Sequence, residues 1–234
     1  FYSAKRLDIK IPYSKEEINE ASKKIVAVQN IQNGYVRPFA WRGSEQMGVS
    51  AQKTKTNVAI ATWEWPAYFD PKLKAEGIKL NISKWRRPAP NTIPWDAKAA
   101  GLYMICTLSK HEAEQQGFSE SLMLDFEGNV AEGTSANIFF KDKNNDLHTP
   151  IADSFLNGIT RQAVIELAKS KSLKVYERKI SPEELNNFEG SFLTGTAAEI
   201  TPVASIAEHK YRVCDVILGL SKSFDELVRQ KKAA

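Results

Sequence analysis

Cysteine and histidine are scarce in these 234 residues: two cysteines, Cys106 and Cys214, and three histidines, His111, His148 and His209. The cysteines form no C-x-x-C pair, which argues against a disulfide framework and fits a reducing compartment. The histidines lie far apart, with no H-x-x-x-H or H-E-x-x-H pattern, so no metal site is expected. No window approaches the roughly 18 consecutive apolar residues of a membrane span. Neither G-x-G-x-x-G nor a Walker pattern occurs, which removes the sequence case for dinucleotide or ATP binding. G-x-S-x-G is missing too, and with it the hydrolase elbow. Charge of one sign is not in excess: 32 basic and 28 acidic residues mix along the chain and leave a net charge of +4. The basic clusters, "KWRRPAP" at 84–90 and "RQKK" near the C-terminus, are too short for a counterion-releasing surface. Neither nucleic acid nor membrane is expected as a partner, and the expected location is the cytoplasm, with an organellar form left open.

What is present is the composition of a globular protein, 42% hydrophobic and 26% charged, long enough for one large domain or two smaller ones. "FYSAKRLDI" has no signal-peptide pattern and reads as the end of a helix already under way, so the chain is expected to begin inside a domain. Ser14 followed by Glu17 is a capping box ahead of Ile18, Ala21, Ile25 and Val28 at helical spacing. The β-branched and aromatic stretches 34–43 and 55–65 read as strands around a loop. Two prolines, a glycine and charges mark 66–77 as a linker. Beyond it come a strand at 78–85, a proline-rich loop, and a helix from about Asp96 to Gln116. Strands follow at 121–128, 129–133 and 136–141, then a helix at 160–171, a strand at 174–180 and a short helix at 181–188. Strands at 191–195 and 200–206 and a last helix over 214–231 complete the pattern. Helices alternate with strands but hairpins intervene, which predicts a mixed α/β (α+β) fold rather than a doubly wound sheet.

Four stretches carry candidate chemistry. In "NTIPWDAKAAGLYM", Lys98 stands among small and apolar residues, where desolvation or a neighbouring cation can prepare an amine for attack on a carbonyl. On composition alone, an ordinary surface lysine is the commoner reading. In "AEGTSAN", Glu132 closes a strand-like run and either points into a cleft or sits on an exposed turn. In "LNGITRQAVIELAK", glycine and Thr160 lead into an amphipathic helix whose first N–H groups can seat an anion, though plain capping asks for the same residues. In "LTGTAAEITPV", residues 194–198 have almost no side-chain bulk, so backbone N–H groups can approach a ligand, or the run is simply a tight turn. Two small anion seats and an unusual lysine suit a ligand with two anionic ends.

These stretches, with "YVRPFAWRGSEQMGVS" and "VAIATWEW", occur in the order and spacing of the branched-chain-amino-acid aminotransferases. The sequence resembles that family, one of the fold-type-IV pyridoxal-phosphate enzymes, from about residue 1 to about residue 220. The resemblance implies a two-domain enzyme: 1–70 as part of a small α/β domain, the linker at 66–77, and 78–234 as the large cofactor-binding domain. It implies pyridoxal 5'-phosphate as cofactor and transamination between leucine, isoleucine or valine and 2-oxoglutarate. Lys98 would be the Schiff-base lysine and proton shuttle, Tyr103 the partner of the cofactor's phenolic oxygen, and Glu132 the partner of the pyridine nitrogen. Leu156 would lie against the ring, and Ile159, Thr160 and Thr196 would hold the phosphate. Tyr35 and the N–H groups of Thr196 and Ala197 would receive the substrate carboxylate. Arg37 would serve the side chain of glutamate, while Trp65, Tyr68, Met47 and Val49 would wall the substrate pocket. The last two would reach a neighbouring subunit's site in a homodimer. The family also carries an earlier segment with further small-domain strands and a phosphate-clamping arginine. Nothing here matches it, and Arg6 does not, so the small domain is expected to be incomplete. The alternatives within the resemblance are a D-amino-acid aminotransferase, an aminodeoxychorismate lyase, or an inactive truncated chain.

Overall fold

Ser14 and Glu17 set the first long helix in the computed structural model, which describes residues 1–65 and 68–229. The Ser14 hydroxyl accepts the Glu17 N–H at 3.1 Å, and the Glu17 carboxylate accepts the Ser14 N–H at 2.7 Å. Two N–H groups that a helix start leaves open are thereby satisfied. After α1 (Tyr2–Arg6), helix α2 (Lys15–Val28) lies on a two-stranded antiparallel sheet of β1 (Gly34–Arg42) and β2 (Thr56–Glu64). Its half-buried positions are Ile18, Ser22, Ile25 and Val26; Ala21 and Val28 face solvent. A straight α-helix carries the buried stripe through i, i+4, i+7 and i+8, so the expected Ala21 and Val28 drift off it.

The chain divides into two compact units, Phe1–Tyr68 and the remainder from Phe69. Of the expected linker, Pro66 and Ala67 lie outside the described residues, and Pro71–Glu76 form helix α3. Asp70 caps it by accepting the Lys72 N–H at 2.8 Å.

The second unit is built on β3 (Ile78–Arg86), β4 (Glu120–Leu124), β5 (Val130–Gly133), β6 (Asn137–Lys141), β7 (Leu147–Thr149), β8 (Val175–Glu177), β9 (Gly190–Gly195), β10 (Glu199–Ile206) and β11 (His209–Lys210). Strand β9 pairs with both β10 and β6, so the pairings β10–β3–β4–β5–β6–β9–β10 close into a six-stranded circuit. Closure leaves these six strands no free edge. The pairs β10–β3 and β3–β4 are parallel and the other four antiparallel. That mixture produces the alternation and the hairpins read from the sequence. Helix α4 (Met104–Gln115) supplies the crossover from β3 to β4, and α5 (Ile159–Ser170) and α6 (Asp215–Arg229) cover strands β9 and β10. Val164, Ile165 and Ala168 of α5 and Ile217, Leu220 and Phe224 of α6 pack with Phe139, Phe192 and Ile200 of the sheet. Phe139 and Phe192 stack with centroids 5.0 Å apart.

One expected helix starts later than the sequence implies. The helix from Asp96 to Gln116 begins only at Met104, after a 3-10 turn over Ala100–Tyr103, because Ala99 is extended. The short strands β7 and β11 were not expected; two or three residues carry no readable period. The last helix is described to Arg229, and the expected residues 230 and 231 lie outside the described residues. Among the described residues no helix is long and apolar enough to cross a membrane.

Candidate active site

Lys98 is delivered by a run of tight turns rather than by a helix. Successive backbone bonds from Trp95 to the Ile93 carbonyl, Ala97 to Pro94, Ala99 to Ala97 and Leu102 to Ala99 fold residues 93–102 back on themselves. Ala97 is buried beneath and Lys98 is directed outward. The 3-10 turn that follows brings Tyr103 around, and Lys98 Nζ donates to the Tyr103 hydroxyl at 2.8 Å. Nζ also stands 5.3 Å from the centre of the Tyr103 ring. The apolar neighbours seen in the sequence therefore do not bury this lysine. They build the turns that present it.

Glu132 lies at the end of β5, paired with Asn137 across the β5–β6 hairpin. Its side chain is buried. Asn137 Nδ2 donates to Glu132 Oε2 at 3.2 Å and to the Leu156 carbonyl at 2.9 Å, while Asn137 Oδ1 accepts the Gly158 N–H at 3.1 Å. One amide thus ties the carboxylate to the start of α5. Gly158 is required there, because a Cβ would collide with Asn137 Oδ1. On its other side Glu132 Oε1 stands 3.4 Å from Arg87 Nε. Among the described residues Nε makes no well-aligned hydrogen bond, so this is an ion pair between two buried groups. Burial pushes the Glu132 carboxyl up to about 7, against the pull of the Arg87 and Lys98 charges. Arg87 also donates to Cys106 Sγ at 3.3 Å. Burial pushes that thiol up to about 11 despite the guanidinium, so Cys106 is a protonated packing group rather than a nucleophile.

Two anion seats flank this carboxylate. Helix α5 starts at Gly158 with no side-chain cap, so its first-turn N–H groups and the positive end of its dipole are presented outward. Ile159 is exposed there and Thr160 is buried in the first turn. The second seat is the loop of residues 196–198 joining β9 to β10. Gly195 at its base lies where a Cβ would stand 3.5 Å from Ala136 of the β5–β6 hairpin, and Thr194 pairs with Asn137. Thr196 is exposed and Ala197 half-buried. Among the described residues the buried Thr194 hydroxyl has no hydrogen-bond partner.

The second unit therefore assembles Lys98 with Tyr103, and Glu132 with Leu156, the α5 start and the 194–197 turn. Tyr35, Arg37, Met47, Val49, Trp65 and Tyr68 lie in the first unit. The antiparallel register places Tyr35 opposite Trp63, with ring centres 5.2 Å apart, and Trp65 lies 5.1 Å from Tyr35 and 5.8 Å from Tyr68. The Arg37 guanidinium lies over Tyr35 at 5.4 Å and over Trp63 at 5.5 Å, within cation–π range. Met47 and Val49 stand fully exposed in the β1–β2 loop. Arg87, Asn137 and Trp63 were not singled out by sequence reasoning. The signal for Asn137 was its place five residues after Glu132 across a tight hairpin; Arg87 was read only as part of a basic cluster.

The model of the amino-transferase class IV family matches residues 2–206. The chain belongs to the class IV aminotransferases. A probable branched-chain-amino-acid aminotransferase of Rickettsia felis is 42% identical over 233 residues, 97% of this chain and 78% of that protein. The branched-chain-amino-acid aminotransferase of Pseudomonas aeruginosa is 38% identical over 237 residues, 100% of this chain and 77% of that protein. Among solved structures, a T.th. branched-chain amino acid aminotransferase complexed with N-(5'-phosphopyridoxyl)-L-glutamate superposes with a TM-score of 0.91 at 35% identity, over 97% of this chain and 75% of its own. The expected mixed α/β fold of a fold-type-IV aminotransferase is thus the fold found.

Proposed function

We propose that this aminotransferase moves the amino group between leucine, isoleucine or valine and 2-oxoglutarate, using pyridoxal 5'-phosphate. The observation that carries the reading is the Lys98–Tyr103 contact at 2.8 Å beside a buried carboxylate. The donor set fits the cofactor. A lysine amine suits its aldehyde, a carboxylate suits its ring nitrogen, and an uncapped helix start suits its phosphate. The names of the relatives, and the phosphopyridoxyl-glutamate complex of the solved neighbour, support the same substrates.

When bound, pyridoxal phosphate supplies a ring that accepts the electron pair left at the substrate's α-carbon. The chain's residues do the rest. Lys98 attaches the cofactor and, once displaced by substrate, moves a proton to and from the α-carbon through Nζ. The Tyr103 hydroxyl orients that amine and holds the cofactor's phenolic oxygen. Glu132 faces the ring nitrogen and favours its protonated form, with Arg87 and Asn137 fixing the carboxylate. Leu156 lies against the ring, while Ile159, Thr160 and Thr196 hold the phosphate. The Thr196 and Ala197 N–H groups take the substrate carboxylate, and Tyr35 serves substrate binding. Arg37 meets the glutamate side-chain carboxylate, and Trp65, Tyr68, Met47 and Val49 bound an apolar pocket for branched chains. Full exposure of Met47 and Val49 suits a homodimer in which these two reach the partner's site. The reaction is read as cytoplasmic.

The test is reduction of pyridoxal-phosphate-loaded protein with borohydride, peptide mapping, and a half-reaction screen by absorbance. The adduct is expected on Lys98, and L-leucine and L-glutamate are expected to shift the spectrum. An adduct elsewhere overturns the site. A shift with D-alanine and none with L-leucine overturns the substrate.

A further inference from the structure

Glu199 occupies a position where glycine is the easy choice. It pairs with Gly195 across the three-residue loop 196–198 and closes the hairpin with φ of +53°. A residue in left-handed conformation at the end of a three-residue loop is the usual way to close such a hairpin, and glycine fills it without steric cost. Of the seven described non-glycine residues with positive φ, Asp8, Asn30, Asn91 and Asn145 are of the types that tolerate it. Glutamate is not. Its side chain accounts for the choice. Lys74 Nζ on α3 donates to Glu199 Oε2 at 2.8 Å, and Arg229 in the last turn of α6 donates to Oε1 at 2.6 Å. Burial works against the charge, yet the hydrogen bonds from Lys74 and Arg229 hold the carboxyl below the usual carboxylate range. Two residues further, the Thr201 hydroxyl donates to the Ala198 carbonyl at 2.6 Å. The loop is therefore held at its closing residue by two helices and at its third residue by β10.

We propose that Glu199 is a positioning residue whose clamp by Lys74 and Arg229 presets the turn that presents the Thr196 and Ala197 N–H groups to a ligand carboxylate. This rests on the reading of that turn as the substrate-carboxylate seat. A seat made of backbone N–H groups has no side chain to adapt, so its affinity depends on how well the turn is held before the ligand arrives. Glu199 touches neither cofactor nor substrate in this scheme. It belongs to binding, and the proton transfers of Lys98 do not pass through it.

The test measures 4-methylpentanoate, an unreactive branched carboxylate, by calorimetric titration of the cofactor-loaded protein, with kcat and KM alongside. Glu199→Ala and Lys74→Met are expected to weaken binding about tenfold and to raise KM for 2-oxo acids similarly, with kcat within about twofold. Lys74→Met leaves the backbone of residue 199 intact and guards against simple misfolding. Glu199→Gly separates clamp from strain. It relieves the left-handed conformation and should keep or raise the melting temperature while still weakening binding. Glu208→Ala, an exposed control, should change nothing. If Glu199→Ala and Lys74→Met bind within twofold of wild type, or if Glu199→Gly binds as wild type does, the proposal is overturned. If the wild type loads cofactor on Lys98 but binds no carboxylate, the seat itself fails and the proposal falls with it.

Discussion

The two units use their hydrophobic residues in opposite ways. In the first, none of the described residues is fully buried; Phe39, Trp41 and Tyr13 each keep nearly half their surface, and the rings of Tyr35, Trp63 and Trp65 are only half-covered. In the second, a closed six-stranded circuit buries Leu80, Leu122, Phe139, Phe140 and Phe192 completely. Among the described residues the buried charged groups, Arg87, Glu120, Asp125, Glu132, Lys141 and Arg161, all belong to the second unit. The difference teaches where each kind of chemistry can reside. A carboxylate whose affinity for protons must be retuned needs a dry and rigid setting, and the barrel supplies one. A pocket that accepts different side chains needs aromatic surface and one adaptable cation, and a two-stranded ribbon can offer these.

The largest effect should come from setting one residue of each unit against the other. Lys98→Ala should abolish the cofactor adduct and lower turnover by about a thousandfold or more. Arg37→Ala should raise KM for 2-oxoglutarate about tenfold and leave leucine within about twofold, since losing one ion contact is worth about 1–2 kcal/mol. Steady-state kinetics with both substrates checks this. Equal losses for leucine and 2-oxoglutarate in Arg37→Ala would break the proposed division between a chemical unit and a selecting unit.

Stability should divide the same way. Phe192 is wholly buried and stacked on Phe139, so Phe192→Ala should cost about 3–5 kcal/mol. Trp41 is 45% exposed, and Trp41→Ala should cost about 1 kcal/mol or less. Denaturant melts compare the two directly.

Most of the scaffold was legible because long periodic segments carry their own signal. The capping box at Ser14, strands β1 and β2, and helix α5 all fall within a residue or two of where the sequence placed them. Lys98 and Glu132 stand out in the sequence as candidates only through the order of several motifs, since a lysine among alanines says nothing about what faces it. The start of the Lys98 segment was misread because alanine and leucine favour helix, whereas extended Ala99 and the turns after Pro94 hold the chain out of helix until Met104. Arg87 and Asn137 were not legible as site residues. Arg87 meets Glu132 across 45 positions of sequence, and the pairing of β3 with β4 and of β4 with β5 brings them together.

Glu132 gives the pH dependence, and the sign follows from its raised value. A carboxylate at about 7 in the folded protein, against an ordinary 4.5, binds its proton more tightly folded than unfolded. Its contribution to stability is complete below about pH 4.5 and is lost as pH rises through about 7. The span corresponds to a difference on the order of 3 kcal/mol. Cofactor-free wild type should therefore lose stability between pH 5 and 8 relative to Glu132→Gln, which does not titrate. Denaturant melts at several pH values check this, and parallel curves for the two proteins would remove the buried, retuned carboxylate from the comparison. No such slope is expected from the first unit, where the shifted carboxyls, Glu17 and Glu45, are both lowered by hydrogen bonds.

The smallest effect tests whether the first unit holds itself together locally. Ser14→Ala removes one half of the capping box and leaves an N–H of the first turn of α2 unpaired, for a loss of about 1 kcal/mol. With no fully buried side chain in its unit, α2 depends on its cap and on half-buried Ile18, Ile25 and Val26 more than α5 depends on its own uncapped start. Hydrogen exchange should then accelerate in α2 and across β1–β2, and stay unchanged in α5 and β9. Exchange that rises equally in both units would mean that they open as one, and the contrast between a locally held ribbon and a core-held barrel would not survive it.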